Sequence, residues 1–260
     1  AAAWIQFQVH GWFNHRRSEN ETLPDIPLKA DDKWPGVTKI RRTERDSTRP
    51  PDALDPPTFL NTETHWWDAS QIYASNAARQ RQLRATKNGP PGAKLRTEKI
   101  NINGHTEERL PQETDRDLGG IDLTGFNDNW WVGLSLLHTL FALEHNAICD
   151  RLRQAYPEWD DERLFQTARL INAALMAKIH VVEWSTALLG HPTTIIGLRA
   201  NWWGLLTERI TKNLGRIGLL KGLQEEISGI PGSEKDHHAA PYYLTEEFVS
   251  VYRMHPLIPD

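Results

Sequence analysis

The chain has 260 residues, 39% hydrophobic and 25% charged, which is enough for one sizeable core or two small ones. A formal charge of −4 gives no basic stripe for nucleic acid and no polybasic patch for a membrane surface. The single cysteine, Cys149, has no internal disulfide partner, no apolar run reaches membrane-spanning length and no signal peptide is expected. A soluble or at most lipid-peripheral protein is therefore expected, in a reducing, intracellular setting or indifferent to redox, rather than a secreted disulfide scaffold.

Residues 1–15 open with helix formers in a repeating apolar pattern. Gln6 and His10 are four apart and share a face that could line a cavity, although an isolated histidine is more often satisfied within a core. Residues 16–60 are polar and carry Pro24, Pro27, Pro35, Pro50, Pro51, Pro56 and Pro57. Such a stretch sustains no helix and reads as a long surface connection that wraps the core. Over residues 64–70, extended geometry points Thr64, Trp66, Asp68 and Ser70 one way and offers the oxygens a hard cation takes. The alternative is a turn held by Asp and Ser side chains. Arg79, Arg81 and Arg84 read as a solvated helix face, Gly89-Pro90-Pro91-Gly92 as a turn, and the residues on to Gly120 as a polar run.

From Leu134 to Leu152 apolar residues recur at helical spacing, and Glu144-His145-Asn146 interrupts them with groups that need hydrogen-bonding partners. The acidic run Asp160-Asp161-Glu162 suits a helix start, and Leu164, Ala168, Ile171, Leu175, Ile179 and Val182 continue as an apolar stripe. His180 falls on this helix, where it could bind a ligand or bond a neighbouring carbonyl. The 11 tryptophans fill the core and its rim. Residues 214–240 read as a Gly-rich polar loop before a final helix. On that helix Tyr252 and His255, three apart, share a face, and Pro256 stops it where the imidazole emerges. A neutral imidazole there is a good axial ligand for haem iron, and a phenol beside haem is oxidisable. A half-buried tyrosine with a helix-terminal histidine is the plainer alternative.

The Tyr252-x-x-His255-Pro256-Leu257 segment resembles the proximal-histidine region of the peroxidase–cyclooxygenase (animal haem peroxidase) superfamily. Leu244-Thr245-Glu246-Glu247-Phe248 with Ser250 to His255 is most similar to the fatty-acid α-dioxygenases. Trp4-Ile5-Gln6-Phe7-x-x-His10 looks like their distal helix, and Leu137-His138-Thr139-Leu140-Phe141 with Glu144-His145-Asn146 like the superfamily's signature helix. Asp160 to Leu170 is shared with the cyclooxygenases, whereas Ala177 to Ser185 and Gly197 to Leu206 look specifically α-dioxygenase-like.

The resemblance implies His255 as proximal ligand, Tyr252 as the radical residue, and His10 with Gln6 on the distal side of the haem. It also implies His180 and Ser185 as the carboxylate site, with Ser185 standing where the family has threonine. An arginine partner is expected beyond residue 260. Thr64, Trp66, Asp68 and Ser70 match the family's calcium loop, but Gly11 replaces a carboxylate usual after the distal histidine. Asp128 occupies the position of a peroxidase's distal arginine, which disfavours efficient peroxidase chemistry.

The expected fold is therefore mainly α, a haem peroxidase/cyclooxygenase-like helical domain with long loops. Residues 1–260 would form part of a single haem-dependent catalytic domain, truncated at both ends. The expected reaction is O2 insertion at C2 of a free fatty acid, giving a 2-hydroperoxy acid, with haem b and calcium as cofactors. A hydrogen-peroxide-dependent haem peroxidase, another fatty-acid dioxygenase and an inactive helical fragment are the alternatives.

Overall fold

The computed structural model describes residues 2–15, 17–22, 28–29, 31, 33, 41–48, 50, 57–86, 89–114, 120–216, 219, 225–233, 244–245, 247–248 and 251. The chain divides into two compact units, one of residues 2–66 with 243–260 and one of residues 67–242.

In the first unit, helix α1 (Ala2–Val9) buries Trp4, Phe7 and Val9. It is shorter than the expected 1–15. The amides of Gly11 and Trp12 reach back to the carbonyls of Gln8 and Val9 at 3.1 and 3.0 Å, tightening the last turn and stopping the helix. Asn61 fixes the backbone just past this helix: its Nδ2 donates to the Trp12 carbonyl (3.0 Å) and its Oδ1 accepts the Asn14 amide (2.8 Å).

Within residues 16–60, strand β1 (Arg17–Thr22) pairs antiparallel with β2 (Arg41–Thr43), so this stretch is not wholly an irregular connection. The pairing escapes the proline rule because every proline in 16–60 lies outside both strands. The 244–248 segment belongs to the same unit. The Leu244 amide donates to His65 Nδ1 (2.7 Å), and the Phe248 ring lies 5.9 Å from Phe13.

The second unit begins with two short helices, α2 (Ser70–Tyr73) and α3 (Ala77–Leu83), the latter capped by the Asn76 side chain on the Arg79 amide. Strands β3 (Glu98–Ile102) and β4 (His105–Arg109) then form a hairpin closed by Asn103 (φ 53°) and Gly104 (φ 85°). The expected polar run thus contains regular sheet. Helices α4 (Val132–Ala155) and α5 (Asp161–Lys178) pack together as the body of the unit. Leu134, Phe141 and Ile148 from one, with Leu164, Phe165, Ala168 and Met176 from the other, are buried. Asp160 caps α5 by accepting the Arg163 amide (2.7 Å).

After α5 the backbone widens into a π-helical segment, Ile179–Trp184. It leads into α6 (Ser185–Leu188), α7 (Pro192–Trp203) and α8 (Thr207–Arg216). The short α9 (Glu225–Ser228) and a single 3-10 turn (Ile230–Gly232) come next, so helix extends into the expected 214–240 loop. Gly204 and Gly229 allow the two backbones to meet, since a Cβ on Gly229 would come within 2.2 Å of the Trp202 carbonyl oxygen. Among the described residues no helix is long and apolar enough to cross a membrane.

Arg84 departs from the expected solvated face. It is 4% exposed, its guanidinium lies 4.0 Å from the centre of the Phe165 ring, and it donates to the Gly92 carbonyl (2.7 Å) and to Glu162 (2.5 Å). Its position just beyond α3 turns it inward, and an aromatic face with backbone acceptors makes burial of the charge tolerable.

Candidate functional site

His180 lies in the π-helical segment, half-buried. The β-branched residues Ile179, Val181 and Val182 surround it, a composition that weakens the ordinary α-helical turn. The wider turn aligns residues five apart. Ser185 accordingly donates both its amide and its hydroxyl to the His180 carbonyl, the latter at 2.7 Å. The two residues expected to meet a carboxylate are thus brought together.

Two indoles contact the His180 ring. Trp184 is stacked at 5.0 Å with 13° between planes, and Trp67 lies at 5.1 Å, tilted by 57°. Burial lowers the His180 pKa from its ordinary value, favouring a neutral ring that carries one N–H donor. Such a ring can donate to an anionic oxygen. A carboxylate held there would in turn favour the imidazolium.

In the first unit, Ala3, Gln6 and His10 fall at i, i+3 and i+7 on one face of α1 and are half-exposed, while Trp4, Phe7, Gln8 and Val9 are buried. The His10 amide bonds the Gln6 carbonyl (3.1 Å), so His10 keeps helical register although α1 proper ends at Val9. A small residue, an amide and an imidazole on one accessible face suit the edge of a planar prosthetic group. The donors present therefore fit a haem on this side. Tyr252 and His255 lie outside the described residues.

The Thr64–Ser70 stretch is not a continuous extended strand. Ala69 is left-handed (φ 58°), Ser70 begins α2, and residues 65–67 form bends, which removes the expected alternation. The oxygens also have backbone duties: Thr64 Oγ1 accepts the Trp66 amide (3.2 Å), and Asp68 Oδ1 accepts the Ser70 amide (3.0 Å). Asp68 Oδ2 is 3.9 Å from Arg169 Nη2. Among the described residues no group of three or more His, Cys, Asp or Glu side chains could hold a metal ion. Asp128 is exposed on a turn.

Glu144-His145-Asn146 contributes a buried network, as its polarity within an apolar helix suggests. His145 Nε2 faces the Ala93 carbonyl (3.0 Å), which can only accept, so the proton lies on Nε2 and Nδ1 accepts the Tyr73 hydroxyl (2.9 Å). Asn172 donates to the same phenol oxygen (2.9 Å) and to the Phe141 carbonyl (3.0 Å). Burial lowers the His145 pKa to about 4 and raises that of Tyr73. Asn146 brackets the backbone of Leu95, accepting its amide (2.8 Å) and donating to its carbonyl (3.1 Å). The network braces the helices. Sequence reading missed Trp67 and Trp184 at the His180 site; the four-residue offset of Trp184 was a usable signal, whereas Trp67 is remote in sequence.

The paired helices α4 and α5, and the π-helical turn that sets a hydroxyl beside His180, define a mainly helical protein. The sequence model of the animal haem peroxidase family matches residues 1–260, and the chain belongs to that family. It is 38% identical over 263 residues to alpha-dioxygenase 2 of Arabidopsis thaliana, covering 100% of this chain and 38% of that protein. Its fold is similar to that of an Oryza sativa fatty acid alpha-dioxygenase variant solved with palmitic acid, with a TM-score of 0.75 and 34% identity, covering 99% of this chain and 39% of the other. The Arabidopsis thaliana fatty acid alpha-dioxygenase gives a TM-score of 0.74 at 34% identity, covering 100% and 38% of the respective chains. The chain therefore spans about two-fifths of the length of these relatives.

Proposed function

We propose that the chain forms part of the single catalytic domain of a haem-dependent fatty-acid α-dioxygenase. The observation that carries this reading is the alignment of Ser185 with His180 on a π-helical turn, in a chain similar over its whole length to alpha-dioxygenases. The substrate is a free fatty acid whose carboxylate meets His180 and Ser185, the serine hydroxyl turning from the His180 carbonyl to donate to it. Anchoring the head group there selects C2 over mid-chain carbons, because a fixed carboxylate fixes which carbon lies next to the reacting group.

His255 would hold haem b, which when bound would supply the one-electron oxidant that Tyr252 needs. His10 accepts and returns the hydroperoxide proton, with Gln6 beside it, a role suited to an imidazole at the end of a helix. Tyr252 gives up an electron and its phenolic proton, and its radical takes hydrogen from the substrate α-carbon. O2 then adds to the carbon radical, giving the 2-hydroperoxy acid after hydrogen returns.

The test uses the full-length, haem-reconstituted protein with palmitate and O2. Tyr252→Phe is expected to keep the haem spectrum and lose the 2-hydroperoxy product. Continued fatty-acid-dependent O2 uptake by this variant overturns the radical assignment. Guaiacol oxidation with hydrogen peroxide but no palmitate-dependent O2 uptake by the parent supports a peroxidase instead.

A further inference from the structure

The two indoles beside His180 have no role in the carboxylate contacts proposed above, yet their geometry is specific. Trp184 lies four residues along the π-helical segment and stacks on the imidazole at 5.0 Å, within 13° of parallel. Trp67 comes from a loop far away in sequence and meets the same ring at 5.1 Å. That loop is pinned close by: Asp68 Oδ1 holds the Ser70 amide at 3.0 Å, and Asp68 Oδ2 is 3.9 Å from Arg169 on α5. Helix α5 leads directly into the π-helical segment that carries His180. One scaffold therefore supports both the imidazole and the rings against it.

We propose that Trp67 and Trp184 form an aromatic brace that fixes the His180 imidazole in the orientation needed to capture a fatty-acid carboxylate. They are positioning residues for substrate affinity. The proposal rests on the reading of His180 as the head-group ligand.

The physical case has two parts. A half-buried histidine has two side-chain torsions, and each orientation it samples without substrate lowers affinity by the fraction of time spent there. Contacts to two rings restrict those torsions before the ligand arrives, so less freedom is lost on binding. The π-faces of indoles also favour a neighbouring ring that becomes cationic when a carboxylate pairs with it. Both effects act on binding and leave the hydrogen-abstraction step unchanged, so the expected signature is a change in KM at nearly constant kcat.

The experiment measures palmitate binding by calorimetry and palmitate-dependent O2 uptake in the full-length, haem-reconstituted protein. Trp67→Leu and Trp184→Leu are each expected to weaken binding about three- to tenfold, with kcat little changed. Trp184→Phe, which keeps a ring, should restore most of the affinity. In a His180→Gln background neither leucine substitution should weaken binding further, since both act through the imidazole.

Parent-like palmitate binding by both leucine variants, with His180→Gln defective, overturns the brace and leaves the head-group reading standing. Leucine effects that add to that of His180→Gln also overturn it. Parent-like binding by His180→Gln overturns the head-group reading and the brace with it. Should a leucine variant fail to fold, fluorine NMR of fluorotryptophan-labelled protein decides the matter, with resonances assigned by Trp67→Phe and Trp184→Phe. Palmitate is expected to shift both, and two unshifted resonances overturn the proposal.

Discussion

Arg84 and Glu162 form an ion pair at 2.5 Å whose two halves have unequal surroundings: the arginine side chain is 4% exposed and the glutamate 60%. Removing either charge breaks the same bridge, but the consequences should differ. Glu162→Gln leaves Arg84 on the Phe165 ring, bonded to the carbonyls of Gly92 (2.7 Å) and Pro91 (3.2 Å). The loss is then that of a solvent-facing pair, below about 1 kcal/mol. Arg84→Ala removes two hydrogen bonds of about 1 kcal/mol each, a cation–π contact of about 1 kcal/mol and the packing of the buried stem, roughly 3–4 kcal/mol altogether. Urea unfolding of purified protein reads this directly. With a slope near 2 kcal/mol per M, Arg84→Ala should lower the midpoint by about 1.5–2 M and Glu162→Gln by less than about 0.5 M. Equal shifts would mean that stability resides in the charge pair, which would refute the assignment of Arg84 as a buried structural hub.

Acid should destabilise the protein through His145. Its folded pKa, about 4 against an ordinary 6.5, means that the unfolded chain binds the extra proton first as pH falls. The contribution is complete above pH 6.5 and is lost between there and about pH 4, by up to about 3 kcal/mol. Urea midpoints at pH 7.5 and 4.5 should separate accordingly, and the separation should shrink in a His145→Gln variant that still folds. Asn103→Ala should cost about 1–2 kcal/mol, because the residue holds φ 53° in the β3–β4 turn. Asn103→Gly should cost nothing on that account, and thermal unfolding of both variants checks it.

Helices α4 and α5 were legible because helical apolar spacing runs through both, and the Asp160 cap was visible as an acidic start. The buried polar network around His145 could be anticipated from Glu144-His145-Asn146, since polar groups in an apolar face must find partners. The β3–β4 hairpin was legible in principle: Asn103-Gly104 is a strong turn signal, hidden because both strands are polar and mostly exposed. The pairing of β1 with β2 was obscured by the proline-bearing residues between and after them.

What the chain's order of residues determined alone was its helical class and its kinship with the haem peroxidases, together with His10, His180 and Ser185 as candidates, because periodicity and short motifs are local properties. Folding decided the burial of Arg84, the π-helical turn that sets Ser185 over His180, and the meeting of Trp67 with that imidazole. These depend on where distant segments come to lie, and a contact between residues 67 and 180 leaves no mark in the spacing of either.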